Sequence, residues 1–213
     1  MKITRSLIPA ALLAAFAMQA ASADDLATSI GTIGHAWAKV YYQTPEAQQE
    51  AQFPALVSQA DAIVKQYPQA AEPLIWEAII LSSYAKVKGG LGAVDLAEKA
   101  RDLAIAAIKI DDKALDAGAY TSLGVLYYKV PGWPLGFGSD KKAKEYLDKA
   151  IAISPAAIDV NYFYGDFMIE QGDKKKAKIY LEKALNAAPR PGREDADAGR
   201  KQEIQNELAK LSS

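Results

Sequence analysis

Apolar residues along this chain recur at spacings of three and four rather than in alternation, and one version of that spacing repeats. Ala143, Leu147, Ala150 and Pro155 set out an order of small, large, small and proline, and Ala177, Leu181, Ala184 and Pro189 restate it 34 residues later at all four positions. Residues three and four apart share one helix face, so each set marks a helix. Its small residues let a neighbouring helix come close, and its proline ends it. A degenerate copy runs Ala100, Ala104, Ala107 and Asp112, and a weaker one Leu56, Ala60, Ile63 and Pro68. Four second helices of helix pairs are thereby predicted. Their first helices are marked by a small residue where the two members cross: Gly124 beside Leu123, with Tyr120 and Tyr127; Gly165 beside Tyr164, with Met168; and Ala78, one turn after Leu74.

The interval from crossing residue to the first Ala of the second helix is 12 residues for Gly165 to Ala177, 19 for Gly124 to Ala143 and 22 for Ala78 to Ala100. The last unit is uninterrupted and two carry insertions, around Lys88 to Gly92 and over Pro131 to Gly138. Both are expected in the turn inside a repeat, so stacking predicts that they are spatial neighbours. Pro131-Gly-Trp-Pro-Leu-Gly-Phe-Gly138 suits neither a helix nor a sheet interior, because its prolines remove donors and its glycines permit positive φ. Trp133 and Phe137 are expected either to plug the seam between repeats or, beside Tyr127 and Tyr128, to wall a pocket or form a binding edge with the glycine-rich insertion. Leu26 to Tyr42 reads as an opening helix. After a turn-rich link at Pro189 to Asp195, Ile204, Leu208 and Leu211 fall on one face of a closing helix over 196–211.

The residues at these positions resemble the tetratricopeptide repeat family: Leu123, Gly124 and Tyr127; Ala143, Leu147, Ala150 and Pro155; then Gly165, Gly172, Ala177, Leu181, Ala184 and Pro189. The resemblance implies an all-α fold, a helix-turn-helix solenoid of about four tetratricopeptide-like repeats with a C-terminal capping helix. Its best units would be 71–112, 117–155 and 158–189 within a domain spanning 24–213. Asn161, where an aromatic residue is usual, and Ala104, where a bulky one is usual, depart from the pattern. Over roughly Pro73 to Leu211 the chain is also similar to the repeat-containing accessory proteins of tripartite ATP-independent periplasmic transporters. Those relatives are typically lipoproteins, whereas this chain has no cysteine to acylate.

Lys2 and Arg5 precede an apolar run from Leu7 to Met18, and Ala21 and Ala23 supply small residues before Asp24. Residues 1–23 therefore read as a secretory signal peptide, and the protein is expected to be periplasmic or secreted, without membrane insertion after cleavage. Losing the two basic residues leaves 23 bases against 26 acids, a net charge of −3 that attracts neither nucleic acid nor anionic lipid. The absence of cysteine removes thiol catalysis and cysteine-ligated zinc. With His35 the sole histidine, Ser-His-Asp catalysis and multi-histidine metal sites lack support, and no cofactor or enzymatic role is expected.

First helices of such repeats usually line the concave face. Asp159, Tyr162 and Asp166 share one face of the last of them, and Thr121 and Tyr128 hold the matching stripe one repeat earlier. Peptide-carboxylate clamps of this family use Lys, Arg and Asn on that stripe; Asp and Tyr point instead to stacking on, or hydrogen bonding to, a neutral or cationic group. Tyr127, Tyr128, Trp133, Phe137, Asp159, Tyr162 and Asp166 are the candidate binding residues, set against a plain solvated face. Gly89, Gly90 and Gly92 lack the strand and the lysine-serine pair of a phosphate cradle. Arg190, Arg193, Asp195, Asp197 and Arg200 form a mixed-sign cluster suited to helix-end pairing or to bridging a partner. Two functions fit: a non-enzymatic periplasmic scaffold for an unidentified protein partner, or the accessory ligand-binding component of a solute transport system, taking a small apolar ligand.

Overall fold

The computed structural model describes residues 10–212, with side chains from residue 23 onward except residue 91. Of the expected signal peptide, residues 1–9 lie outside the described residues. Among the described residues the chain is all-helical: α1 (Ala10–Ala38, continued by a π-turn Lys39–Gln43), α2 (Glu46–Gln66), α3 (Ala71–Lys88), α4 (Leu91–Ile110), α5 (Ala114–Lys129), α6 (Asp140–Ile153), α7 (Ile158–Glu170), α8 (Lys174–Leu185) and α9 (Glu194–Ser212). Helices α3 and α4, α5 and α6, and α7 and α8 pack as adjacent antiparallel pairs, and α3, α5 and α7 touch in succession to form an inner layer. This is a tetratricopeptide-like helical solenoid. No helix of the described residues is long and apolar enough to cross a membrane.

Small-against-large packing sets the pairs. Ala143, Leu147 and Ala150 on α6, and Ala177, Leu181 and Ala184 on α8, are all fully buried. A Cβ placed on Gly124 would stand 2.5 Å from Leu147 Cγ, and one on Gly165 would stand 2.9 Å from Leu181 Cγ. The leucine thus occupies the space that the glycine leaves. In α3 and α4 the corresponding residues are Ala78 and Ala104, both fully buried; Ala78 brings the Cβ that the glycines lack, and its partner is small where the others are large. Asn161 also has a structural reason. It is 1% exposed, and its Nδ2 donates to the carbonyls of Pro155 and Ala157, each at 2.9 Å, pinning the link into α7. Ser139 and Asp173 accept from the amides of Lys142 and Lys176 and start α6 and α8.

The two insertions differ in kind. The one expected in a turn around Lys88 to Gly92 is nearly all helix: α3 runs on to Lys88, α4 starts at Leu91, and only Gly89 and Gly90, both at positive φ, form the turn. Ala85, Lys86 and Lys88 before the turn and Leu91, Ala93 and Leu96 after it are good helix formers, and lengthening two helices satisfies more backbone than opening a loop would. Pro131 to Gly138 does form a loop, with a cis Trp133–Pro134 bond and the Gly138 amide donating to the Pro131 carbonyl at 2.9 Å. Arg101 of α4, C-terminal to the first insertion, lies over the Phe137 ring of the second, 4.6 Å from its centroid.

Candidate functional site: a cavity closed by the last helix

The closing helix does more than cover the end of the array. Helix α9 packs on α8 and also reaches α7 and α1, so the last element returns to the first. His35 Nδ1 pairs with Asp195 Oδ2 at 2.8 Å, and the Tyr42 hydroxyl donates to Glu203 Oε2 at 3.1 Å. Gly199 faces the Tyr42 ring so closely that no larger residue fits. Burial and the Glu203 carboxylate hold the Tyr42 phenol well above its ordinary range, so it stays a donor.

A charge ladder fastens the crossing. Arg190 Nη1 donates to Asp159 Oδ2 at 2.6 Å and its Nε to Asp197 Oδ1 at 2.8 Å. Arg200 Nε takes the other Asp159 oxygen at 2.8 Å, and Arg200 Nη1 donates to Glu203. The Arg200 guanidinium also lies 4.2 Å from the Tyr162 ring centroid and 4.6 Å from that of Phe163. Asp159 is partly desolvated, yet Arg200 and Arg190 outweigh the burial and hold its carboxyl well below the usual range.

Between the inner layer and α9 lies a cavity of about 750 Å³. That volume is within the range of small-molecule sites, roughly 300–1,000 Å³. Trp37 and Tyr41 of α1 and its π-turn, and Trp76, Ile79, Ser82 and Lys86 of α3, form one side. Helix α5 contributes Thr121, Ser122 and Val125; α7 contributes Asp159, Tyr162, Phe163 and Asp166; Arg190, Arg193, Arg200 and Glu203 come from the last link and α9. Ala93, Val94 and Ala97 reach it because α4 is extended by the insertion, and the exposed Gly90 and Pro131 stand at its edge. Among the described residues no group of three His, Cys, Asp or Glu side chains could hold a metal ion.

One wall depends on an unusual backbone. Leu115, Asp116 and Ala117 have φ of 49°, 56° and 59°, one left-handed turn closed by the Ala117 amide on the Lys113 carbonyl at 3.2 Å. For side-chain-bearing residues that conformation is disfavoured by about 1 kcal/mol or more each. It sets Leu115 and Asp116 on the cavity wall and buries Ala117 fully. Asp116 inside the turn and Gly118 just after it are residue types that tolerate such a backbone, but they sit within an otherwise helical pattern.

Of the seven candidate binding residues, Asp159, Tyr162 and Asp166 line the cavity. None is an open solvated position: Asp159 is held by two arginines, Tyr162 lies under Arg200, and Asp166 accepts from the Tyr128 hydroxyl at 2.6 Å and from Lys129 Nζ at 3.0 Å. Tyr128 acts from behind, its phenol raised by burial and by Asp166. Tyr127 is a core residue, stacked on Tyr146 at 5.5 Å. Phe137 packs edge-on against Tyr127 at 5.4 Å and seals the loop to the array. Trp133 neither plugs the seam nor walls a pocket: it is 90% exposed, with Leu135 beside it in sequence 66% exposed. The prolines and glycines of this short loop turn its tip outward before the indole can fold back. The expectation of a stripe set by Asp and Tyr alone is likewise corrected, because the fold lays three arginines of the last link and α9 across it.

Residues 141–198 match the tetratricopeptide repeat family. The matched stretch covers α6, α7, α8 and the start of α9, the part where the 34-residue spacing is most regular. No curated protein matches the chain. Tetratricopeptide repeats generally mediate protein–protein interaction and are typically non-enzymatic scaffolds, and the pairwise helical packing here agrees with that architecture.

Proposed function

We propose that this chain is an exported, non-enzymatic binding protein that holds a small molecule between its repeats and α9, as the accessory ligand-binding component of a solute transport system of the tripartite ATP-independent type. The supporting observation is the cavity of about 750 Å³ on the concave side, walled by aromatic residues and spanned by a helix tied down by Asp159, Arg190 and Arg200. A repeat protein that received an extended peptide on that face would leave it open; here α9 takes the place of such a peptide. Native mass spectrometry of protein purified without denaturation tests the reading. A small molecule retained at one per chain supports it, and a chain that neither retains nor takes up any small molecule sinks it. Export to the periplasm is part of the proposal, checked by fractionation of cells expressing the full chain.

The second reading, a scaffold for a protein partner, has its own support in the exposed Trp133 and Leu135 at the loop tip. With α9 across the concave side, such a partner would dock on the loop edge. Affinity capture with crosslinking from periplasmic extract, comparing the natural chain with Trp133→Ala, tests it. A partner retained equally by both rules out the loop edge.

A further inference from the structure

The most exposed large apolar side chains among the described residues stand close together on one loop tip. Trp133 is 90% exposed and Leu135 66%, whereas Ile110 and Ile179, at 43% and 45%, sit singly on α4 and α8. Pro131, Gly132 and Pro134 are exposed as well. The tip is held out rather than loose. The Leu135 and Gly136 amides both donate to the Gly132 carbonyl, at 3.1 and 3.2 Å, and the Ser139 amide donates to the Tyr127 carbonyl at 2.7 Å. Phe137 anchors the base between Tyr127 and Arg101. Gly136 and Gly138 lie so close to Pro131 and Val130 that neither has room for a side chain. An indole fixed in water by so much of its own backbone is an apolar surface kept for an occupant.

Size and shape select that occupant. A Trp and a Leu offer roughly 300 Å² between them, against about 800 Å² per partner in a stable protein interface. They also project as a convex point, which a fluid headgroup layer accepts without a complementary shape. That layer is where tryptophan rings settle, with the apolar body toward the acyl chains and Nε1–H toward water. Charge agrees. Val130 to Ser139 contains no ionisable side chain, and the residues that follow, Asp140, Lys141 and Lys142, are exposed and of both signs. Such a collar suits zwitterionic headgroups, whereas the negative net charge of the chain gives no pull toward anionic ones.

We propose that the Pro131 to Leu135 tip docks on a lipid surface, with Trp133 and Leu135 entering the headgroup layer. The contact is superficial, since no helix of the described residues is long and apolar enough to cross a membrane. It is also weak and reversible, because even a whole myristoyl chain holds a protein only marginally. Val130 and Pro131, at the base of the tip, line the cavity, so docking brings the cavity's edge to the bilayer. An apolar ligand then passes between lipid and cavity with little exposure to water. The docking stands on the loop alone; the transfer that it permits rests on the small-molecule reading above.

Intrinsic fluorescence tests the docking, because Trp37 and Trp76 are 5% and 2% exposed and leave Trp133 as the tryptophan able to meet a bilayer. The natural chain, Trp133→Ala and Leu135→Asp, each shown to be folded by its thermal transition, are titrated with vesicles of phosphatidylcholine. A second series uses phosphatidylcholine brominated in the upper part of its acyl chains. The natural chain should shift its emission to the blue with the first and be quenched by the second. Trp133→Ala should lose both responses, and Leu135→Asp should lose the quenching, since a carboxylate at the tip lifts the indole out of the lipid. Emission that ignores vesicles, a response unchanged in Trp133→Ala, or quenching that persists in Leu135→Asp overturns the lipid assignment. A protein captured through Trp133 by a chain whose emission ignores vesicles overturns it too, and upholds the loop-edge scaffold. The small-molecule reading fails on a separate measurement, the absence of a retained molecule in native mass spectrometry, which none of these responses touches.

Discussion

Replacing Gly199 with alanine discriminates sharply between a last helix that closes on the first and one that merely ends the array. In an ordinary helix the change is favourable by roughly 1 kcal/mol, because alanine loses less backbone freedom on folding. Here the new Cβ would stand 2.3 Å from Tyr42 Cγ and 2.5 Å from both Cδ atoms. Unstrained carbon contacts sit near 3.5–4.0 Å, so something must move by more than about 1 Å. The Tyr42 ring is poorly placed to yield. Its hydroxyl is bonded to Glu203, and the ring stands edge-on to Trp37 at 5.4 Å and to Tyr41 at 4.9 Å. Overpacking of this kind typically destabilises by about 1–3 kcal/mol, and the displaced contacts of α1 with α9 add to it. The net expectation is a loss of about 1–2 kcal/mol, a fall in Tm of about 2–8 °C for a chain of this size. Gly31→Ala is the internal control, since nothing lies within 4 Å of a Cβ there; it should gain about 0.5–1 kcal/mol. Thermal and urea unfolding followed by circular dichroism would read both. If Gly199→Ala stabilised the protein as Gly31→Ala does, α9 would not lie against Tyr42 and the reasoning would fail.

Other residues give further expectations. Because Asp159 titrates well below the usual carboxyl range of about 3.9, the unfolded chain takes up its proton first on acidification. Its contribution to stability is complete above about pH 4–5 and is lost as pH falls toward the folded-state value; Asp159→Asn should be less stable at neutral pH and show a shallower decline between about pH 5 and pH 2. At the loop, Trp133→Ala should change stability by less than about 0.5 kcal/mol, since the indole is exposed. Phe137→Ala should cost about 1–2 kcal/mol, less than the 3–5 typical of a fully buried ring, by loss of its contacts with Tyr127 and Arg101. Equal urea midpoints for the two variants would contradict that division.

The repeats were legible because their information is local. Ala143, Leu147 and Ala150 specify a stripe within one helix, and Gly124 and Gly165 specify the approach of its partner, so spacing alone places the pairs. The cavity was not legible, because its determinants are distant. Asp159 meets Arg190 and Arg200 at sequence separations of 31 and 41, and Tyr42 meets Glu203 at 161. A period of 34 residues says nothing of where a non-repeating final helix will lie. The cluster Arg190, Arg193, Asp195, Asp197 and Arg200 was visible as mixed charge near a helix start, which helix-end pairing explains equally well. The left-handed turn at Leu115 to Ala117 was marked only by Asp116 and the following Gly118, set within a helical pattern that outweighed them. The outward Trp133 reversed a sound general expectation, that large apolar side chains seek cover.

The account turns on α9 meeting α1, and a double-mutant cycle on Tyr42 and Glu203 measures that contact directly. Tyr42→Phe removes only the hydroxyl, Glu203→Gln only the charge, and the two groups touch solely if the first and last elements adjoin, 3.1 Å apart as described. Urea unfolding of the natural chain, both single variants and the double variant should give a coupling of about 0.5–2 kcal/mol. Strictly additive losses, with no coupling between residues 42 and 203, would contradict a concave face closed into a cavity.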